Sequence, residues 1–107
     1  SVSVFGDSLV AINPVSNILP FKFELYQNYP NPFNPTTKID FDIPKSGYTS
    51  LRVYDVTGSE IRTLVSGDLG AGKYSISLDA SQLSSGIYYY RLESNGLIKT
   101  QKMSLVK

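Results

Sequence analysis

The sequence of 107 residues contains no cysteine and no histidine. The absence of cysteine excludes disulfides, thiolate metal sites and cysteine nucleophiles. The absence of histidine removes the usual general base near neutral pH and the commonest metal ligand. We therefore expect no Ser-His-Asp catalysis, no zinc chemistry, and neither a metal nor another cofactor.

The chain also lacks an excess of charge of one sign, because it has ten Lys and Arg residues and nine Asp and Glu residues. A net charge of +1 does not attract nucleic acid or an anionic membrane through its overall field. No apolar run approaches the roughly 18 residues of a membrane-spanning helix, and the start of the chain lacks the regions of a signal peptide. We expect no nucleic-acid partner and no direct membrane insertion. Because the sequence starts at Ser1 without Met, we expect it to be part of a longer protein.

Proline is missing from the second half of the chain, since all six prolines precede residue 45. Proline blocks the hydrogen bonds of a sheet, so the early part of the chain should contain connectors and at most edge strands. We predict that residues 1–22 are a linker or the tail of a preceding domain, with one short strand at residues 2–5. A single folded domain is predicted over residues 23–107.

From residue 23 onward, apolar and polar residues alternate with period two, which is typical of half-buried antiparallel strands. Segment 60–65 is ambiguous, because its apolar residues also suit one face of a helix. Glycines in segment 67–72 indicate a mobile turn. The pattern predicts an all-β fold, an immunoglobulin-like antiparallel β-sandwich of about seven strands. The predicted strands lie at residues 23–29, 39–43, 48–55, 60–65, 74–79, 87–93 and 97–106.

Two local signals refine this fold. Asn95-Gly96 predicts a two-residue hairpin, because a type I′ turn needs positive φ at both central positions. The stretch Leu83-x-x-Gly86-x-Tyr88 is similar to a tyrosine corner, in which the tyrosine hydroxyl bonds an upstream backbone group.

Two polar motifs could carry chemistry. Gly6-Asp7-Ser8-Leu9 matches the signature of a family of serine esterases, but a chain without histidine lacks the usual base for the serine. We interpret it as a polar turn in the linker. Asp40 and Asp42 lie on one face of a strand, about 7 Å apart, a spacing that suits a glycosidase pair or a calcium site. The calcium loop that should accompany them is missing, and a solvated outer face is the preferred interpretation.

Three consecutive tyrosines, Tyr88, Tyr89 and Tyr90, could form a platform on which a sugar stacks. Adjacent strand residues face opposite sides of a sheet, so only Tyr88 and Tyr90 share a face. Packing of these two rings in the core is favoured over carbohydrate stacking.

Four blocks of the chain, taken in order, resemble a known protein family. They hold Asn31-Pro32 with Asn34-Pro35, then Tyr54-Asp55 with Gly58, then Gly86-x-Tyr88, and a basic last strand with Lys99, Lys102 and Lys107. The blocks read LYQNYPNPFNPTTKIDFDIP (25–44), LRVYDVTGSEIRTL (51–64), GKYSISLDASQLSSGIYYYRLES (72–94) and KTQKMSLVK (99–107). Over residues 23–107 the chain closely resembles the type IX secretion system C-terminal sorting domain, type A, the Por secretion tail family. The immunoglobulin-like domain of flagellar hook-capping proteins shares parts of the first two blocks.

The resemblance implies a β-sandwich at the C-terminus of an exported precursor in a Gram-negative bacterium of the Bacteroidetes kind. Such a domain is a sorting signal without enzymatic activity, and it is read by an outer-membrane translocon. A sortase-like peptidase commonly removes it, and the cargo upstream is often a hydrolase or an adhesin. The precursor would pass through the periplasm and end secreted or at the outer-membrane surface. The alternative function is an accessory module of a secreted hydrolase that binds carbohydrate or substrate.

A sorting signal can be read as a folded surface or as an exposed strand. We expect the last strand to be an edge strand whose unpaired backbone groups a receptor could extend. Lys99, Lys102 and Lys107 would either contact the translocon or protect the edge and keep it soluble. The remaining motif residues are expected to hold the fold: Asn31, Pro32, Asn34, Pro35, Tyr54, Asp55, Gly58, Gly86 and Tyr88.

Overall fold

The structure is a computed structural model, and it describes residues 12–14 and 22–107. This part of the chain forms eight strands in two four-stranded antiparallel sheets and contains no helix. The strands are β1 (Ile12–Pro14), β2 (Glu24–Leu25), β3 (Thr36–Ile43), β4 (Gly47–Tyr54), β5 (Glu60–Leu69), β6 (Gly72–Asp79), β7 (Gly86–Ser94) and β8 (Leu97–Leu105). The predicted all-β sandwich is confirmed.

The first sheet has the strand order β1-β6-β3-β2, and the second has the order β5-β4-β7-β8. The chain therefore passes from one sheet to the other between β3 and β4, between β5 and β6, and between β6 and β7. This connectivity, with β2-β3-β6 facing β5-β4-β7-β8, is that of an immunoglobulin-like sandwich. It leaves β2 and β8 as the outermost strands on the same side of the sandwich.

The core lies between the two sheets and is built from the alternate residues of each strand. Ile39, Phe41 and Ile76 from the first sheet are fully buried, as are Leu51 and Leu92 from the second. The rings of Phe41 and Tyr74 stack with their centroids 5.4 Å apart. The period-two pattern thus marks the buried faces correctly.

The segment that also suited a helix is part of β5, which runs ten residues from Glu60 to Leu69. The pairing with β4 shifts register twice, between Leu51 and Arg52 and between Val53 and Tyr54. The first shift leaves Leu64 without a partner residue on β4, and the adjacent Leu64 and Val65 both lie in the core, which disturbs the simple alternation. The predicted mobile turn over residues 67–72 is wrong, because Gly67 pairs with Thr49 inside the sheet and only Gly70 and Ala71 separate β5 from β6.

The predicted strand at residues 23–29 is shorter in the structure, where β2 covers Glu24–Leu25. It is interrupted because the backbone N–H of Asn28 donates to the hydroxyl of Tyr90 instead of to a neighbouring strand. Pairing resumes at one point, where Tyr29 and Lys38 exchange two backbone hydrogen bonds. The predicted strand at residues 2–5 and the Gly6-Asp7-Ser8-Leu9 motif lie outside the described residues.

Candidate functional site

The last strand, β8, lies at the edge of the second sheet and pairs along its whole length with β7. The hairpin between them turns at Asn95 (φ 53°) and Gly96 (φ 80°), so the predicted type I′ geometry is confirmed. The amide of Asn95 also donates to the carbonyl of Lys45, at 3.0 Å, and so ties the hairpin to the turn between β3 and β4.

The two faces of β8 differ along its length. In the second half of the strand, Met103 and Leu105 are buried in the core. In the first half, Leu97 and Ile98 are 50% and 56% exposed. The hydrophobic core therefore holds only the second half of β8 by its side chains.

A short segment of the early chain, residues 27–33, lies along the outer edge of β8, and we call it the covering segment. Phe33 donates its backbone N–H to the carbonyl of Ser104, and its own carbonyl accepts from the N–H of Val106, both at 2.9 Å. The side-chain oxygen of Asn31 accepts from the N–H of Ser104 at 3.0 Å. The amide of Gln27 donates to the carbonyl of Lys102 at 2.7 Å. From the carbonyl of Lys102 onward, the backbone groups that β8 turns outward are therefore hydrogen-bonded to the covering segment. The N–H of Lys102 is not.

Phe33 is the apolar anchor of the covering segment, since its ring is 2% exposed although it stands in a run of prolines and asparagines. The peptide bonds before Pro30, Pro32 and Pro35 are cis. The carbonyl of Pro35 accepts from the N–H of Ala80 at 2.9 Å, which joins the end of the Asn-Pro run to the loop after β6.

A buried polar network fixes the covering segment to the rest of the sandwich. The Tyr90 hydroxyl donates to the carbonyl of Tyr26 and accepts from the N–H of Asn28, both at 2.7 Å. The Asn28 side chain is also buried, and it donates to the hydroxyl of Thr37 at 3.0 Å and to the carbonyl of Pro30 at 3.1 Å. Burial raises the pKa of Tyr90 to about 12.

Sequence reasoning missed Phe33, Asn28 and Tyr90 as determinants of this site. Phe33 had a signal in the sequence, because a large apolar residue flanked by two Asn-Pro pairs needs a place to be buried. Asn28 and Tyr90 had none, since their hydrogen bond joins positions 62 residues apart.

The three predicted lysines lie at three separate places. Lys99 points toward the first sheet, with its Nζ atom 3.3 Å from a carboxylate oxygen of Glu24 on β2. Lys102 is exposed on the opposite, outer face of β8. Lys107 donates its Nζ to the carbonyl of Ser81, at 2.7 Å, and its backbone N–H to the hydroxyl of Ser85. The three side chains do not form one cationic patch.

The Tyr54-Asp55…Gly58 motif forms the turn between β4 and β5, away from the outer edge of β8. One carboxylate oxygen of Asp55 accepts from the hydroxyl and N–H of Thr57 and from the N–H of Ser59, at 2.6 to 3.0 Å. These bonds, that of the Thr57 hydroxyl first, lower the pKa of Asp55. Gly58 has φ 86°, in the region that favours glycine. Tyr54 accepts a 2.7 Å hydrogen bond from Arg91, whose guanidinium lies 4.8 Å from the tyrosine ring centroid.

The Gly86-x-Tyr88 motif begins β7. The Tyr88 hydroxyl donates to the carbonyl of Ser84 at 2.6 Å, which is the geometry of a tyrosine corner. The rings of Tyr88 and Tyr90 are buried, and among the three consecutive tyrosines only Tyr89 is exposed. The run therefore offers no shared stacking platform for a sugar.

The two strand carboxylates, Asp40 and Asp42, have different surroundings. The predicted solvated face is confirmed for Asp40, which is exposed. It is wrong for Asp42, which is buried and accepts from the hydroxyl of Tyr26 at 2.5 Å and from Lys73 at 3.2 Å. The bond to Asp42 is the main reason why the pKa of Tyr26 is raised to about 12. Within residues 12–14 and 22–107, no group of three or more acidic side chains could hold a metal ion. The same residues include no helix long and apolar enough to cross a membrane.

A family model described as the secretion system C-terminal sorting domain matches residues 27–107 of this chain. The match covers about three quarters of the sequence and includes the covering segment and all strands from β3 to β8. No curated protein and no solved structure matches the chain.

Proposed function

The chain belongs to the secretion system C-terminal sorting domain family, and from that membership we propose how its β-sandwich is used. A domain of this family is a C-terminal sorting signal for type IX secretion and is not itself catalytic. The protein that carries it is exported, and is then secreted or attached to the cell surface. The family match over residues 27–107 is the observation that carries this function.

The finer steps are our proposal. The precursor passes through the periplasm, and the outer-membrane translocon reads this domain in its folded form. The sandwich supports recognition of the folded domain. The four blocks that resemble the family are separated in sequence, but core packing and hydrogen bonds bring them together.

A sortase-like peptidase then separates the domain from its cargo. A protease needs an extended segment, and the chain is packed into the sandwich from Phe23 onward. We therefore place the cleaved bond between about residues 8 and 23, outside Ile12–Pro14, which pairs with β6. The cargo upstream determines whether the whole precursor is an enzyme.

Of the motif residues, we propose that most hold the fold and that Lys102 contacts the translocon. The hydrogen bonds of Asn31, Asp55 and Tyr88 support a fold-holding role, because each fixes a turn or an edge inside the domain. All three lysines are exposed, but Lys99 and Lys107 have partners within the chain, whereas no described residue pairs with the side chain of Lys102.

The test is a fusion of the 107-residue chain to the C-terminus of a periplasmic reporter, expressed in a bacterium that has a type IX system. We expect the reporter outside the cell or on its surface. The controls are the reporter without the chain, and the fusion in a strain without the translocon, both of which should stay in the periplasm. Retention of the fusion in the first strain would contradict the proposal.

A further inference from the structure

No described backbone group pairs with the outer edge of β8 over residues 97–101, and we call this part the open edge. Two side chains of this part reach β2: the Nζ of Lys99 lies 3.3 Å from a carboxylate oxygen of Glu24, and the amide of Gln101 donates to the carbonyl of Leu25 at 3.0 Å. In an antiparallel ladder, alternate residues turn their N–H and C=O groups away from the neighbouring strand. The bonds of Ser104 to the covering segment show that the even-numbered residues of β8 turn outward. Ile98 and Thr100 therefore present their N–H and C=O groups at the open edge, and no described residue pairs with them.

The side chains beside the open edge protect it only in part. Natural edge strands are usually protected by proline, by charged residues or by a covering segment. Here Leu97 and Ile98 are apolar and half exposed, and the covering segment reaches no further back than the carbonyl of Lys102. Lys99 is exposed, and its side chain turns toward Glu24 on β2. Lys102, at the end of the open edge, is also exposed, and no described carboxylate pairs with it.

The covered half of β8 shows what kind of group this edge accepts. Phe33 pairs in parallel with Leu105, through one N–H and one C=O, as one residue of an added strand would. Outward groups on β8 recur every second residue, about 6.6 Å apart, which is the repeat of another extended backbone. A strand added at the open edge would continue the line that Phe33 begins.

We propose that the open edge receives an extended strand from the protein that reads this sorting signal, with a carboxylate side chain of that strand opposite Lys102. The inference rests on the proposed function and names the surface and the chemistry of its partner. Backbone hydrogen bonds to Ile98 and Thr100 supply the attachment, and the ion pair with Lys102 sets the register.

The decisive variants separate the backbone of Thr100 from its side chain. Thr100→Pro removes the outward N–H but no bond to β7, and proline is tolerated on edge strands in such positions. Thr100→Ala keeps the N–H and removes the side chain. In the reporter fusion of the full chain, we expect export to fall about ten-fold or more with Thr100→Pro and to stay unchanged with Thr100→Ala.

Each outcome decides between alternatives. Export of Thr100→Pro at the level of the unmodified chain would overturn the inference while leaving the sorting function intact. An equal fall with Thr100→Ala would mean that a side chain, not the backbone, is read. Failure of the unmodified fusion to leave the periplasm would instead overturn the proposed function. Thermal melting of the purified chains checks that Thr100→Pro folds, and Ile98→Pro with Ile98→Ala is the second pair.

A third pair of variants reverses a charge and introduces no proline. Lys102→Glu should lower export about ten-fold, because a carboxylate would then face a carboxylate. Its matched control is Lys38→Glu, an exposed lysine on the other sheet, which should export normally. Equal export of both variants would exclude the ion pair. Sedimentation of the purified chain should show a monomer; a dimer that Thr100→Pro dissociates would make a second copy the occupant and overturn the inference.

Discussion

The two halves of β8 form one continuous strand on β7 but differ in what lies against their outer edge. The second half is anchored in the core by Met103 and Leu105 and covered by residues 27–33. The first half exposes Leu97 and Ile98, and no described residue pairs with its outward backbone. The covering segment thus protects the end of the strand, and among the described residues it does not reach the beginning.

The sequence predicts that the last strand is an edge strand with unpaired backbone groups, and in the described residues such groups lie mainly in its first half. Edge protection is a common feature of natural sheets, and here it is supplied from 70 or more residues away by backbone and side-chain bonds. Within residues 12–14 and 22–107, a strand added to the first half of β8 would displace no backbone hydrogen bond.

Among these variants, removal of the Phe33 ring that anchors the covering segment should change the free energy of unfolding most. Phe33→Ala should lower the free energy of unfolding by about 3–5 kcal/mol, because a buried ring is lost and a cavity is left. Urea denaturation of the full chain measures the change. Tyr29→Ala is the matched control, since that ring is 80% exposed in the same segment, and it should change stability by less than about 0.5 kcal/mol. Equal effects would show that Phe33 does not anchor the segment.

The next test removes one hydroxyl. Tyr90→Phe should lower the free energy of unfolding by about 1–3 kcal/mol, because the buried N–H of Asn28 and the carbonyl of Tyr26 lose their partner. Tyr89→Phe, on the exposed neighbour, should leave the denaturation midpoint unchanged. A neutral Tyr90→Phe would mean that the network does not hold the covering segment.

The pH dependence of stability tests the same buried network around Tyr90. The folded chain holds the pKa of Tyr90 at about 12, while an unfolded tyrosine titrates near 10. Between these values the unfolded chain binds fewer protons, so stability is complete below pH 10 and falls as the pH rises toward 12. At pH 11 the loss from Tyr90 is on the order of 1 kcal/mol. Tyr26 shifts in the same direction, so denaturation curves of Tyr90→Phe should show a smaller fall, not an absent one.

The smallest effect is expected at Asn31. Asn31→Ala removes the acceptor of the Ser104 N–H at an exposed position and should cost about 0.5–1 kcal/mol. Amide exchange is the sharper measurement: the Ser104 amide should exchange faster in the variant, approaching the rate of the Ile98 and Thr100 amides at the open edge. Asn34→Ala is the control, because no described hydrogen bond uses that side chain. Equally slow exchange along the whole edge of β8 would break the comparison between its halves.

Local sequence signals predicted most of the fold. The alternation of apolar residues marks the buried faces, the Asn95-Gly96 pair makes the last hairpin, and the spacing to Tyr88 gives the corner bond to Ser84. They left β5 ambiguous between a strand and a helix, because a register shift places Leu64 and Val65 both in the core. A bulge depends on the partner strand, and no pattern within one segment specifies it.

The sequence alone determined the class of this protein: an all-β sorting domain without histidine or cysteine, identifiable from motifs that stand in a set order along the chain. Only the tertiary structure decided which part of β8 is accessible and where each lysine points. The physical reason is that Phe33, Asn31 and Gln27 contact β8 across more than 70 residues of sequence. Such contacts exist only after the two sheets have packed and brought both edges to the same side.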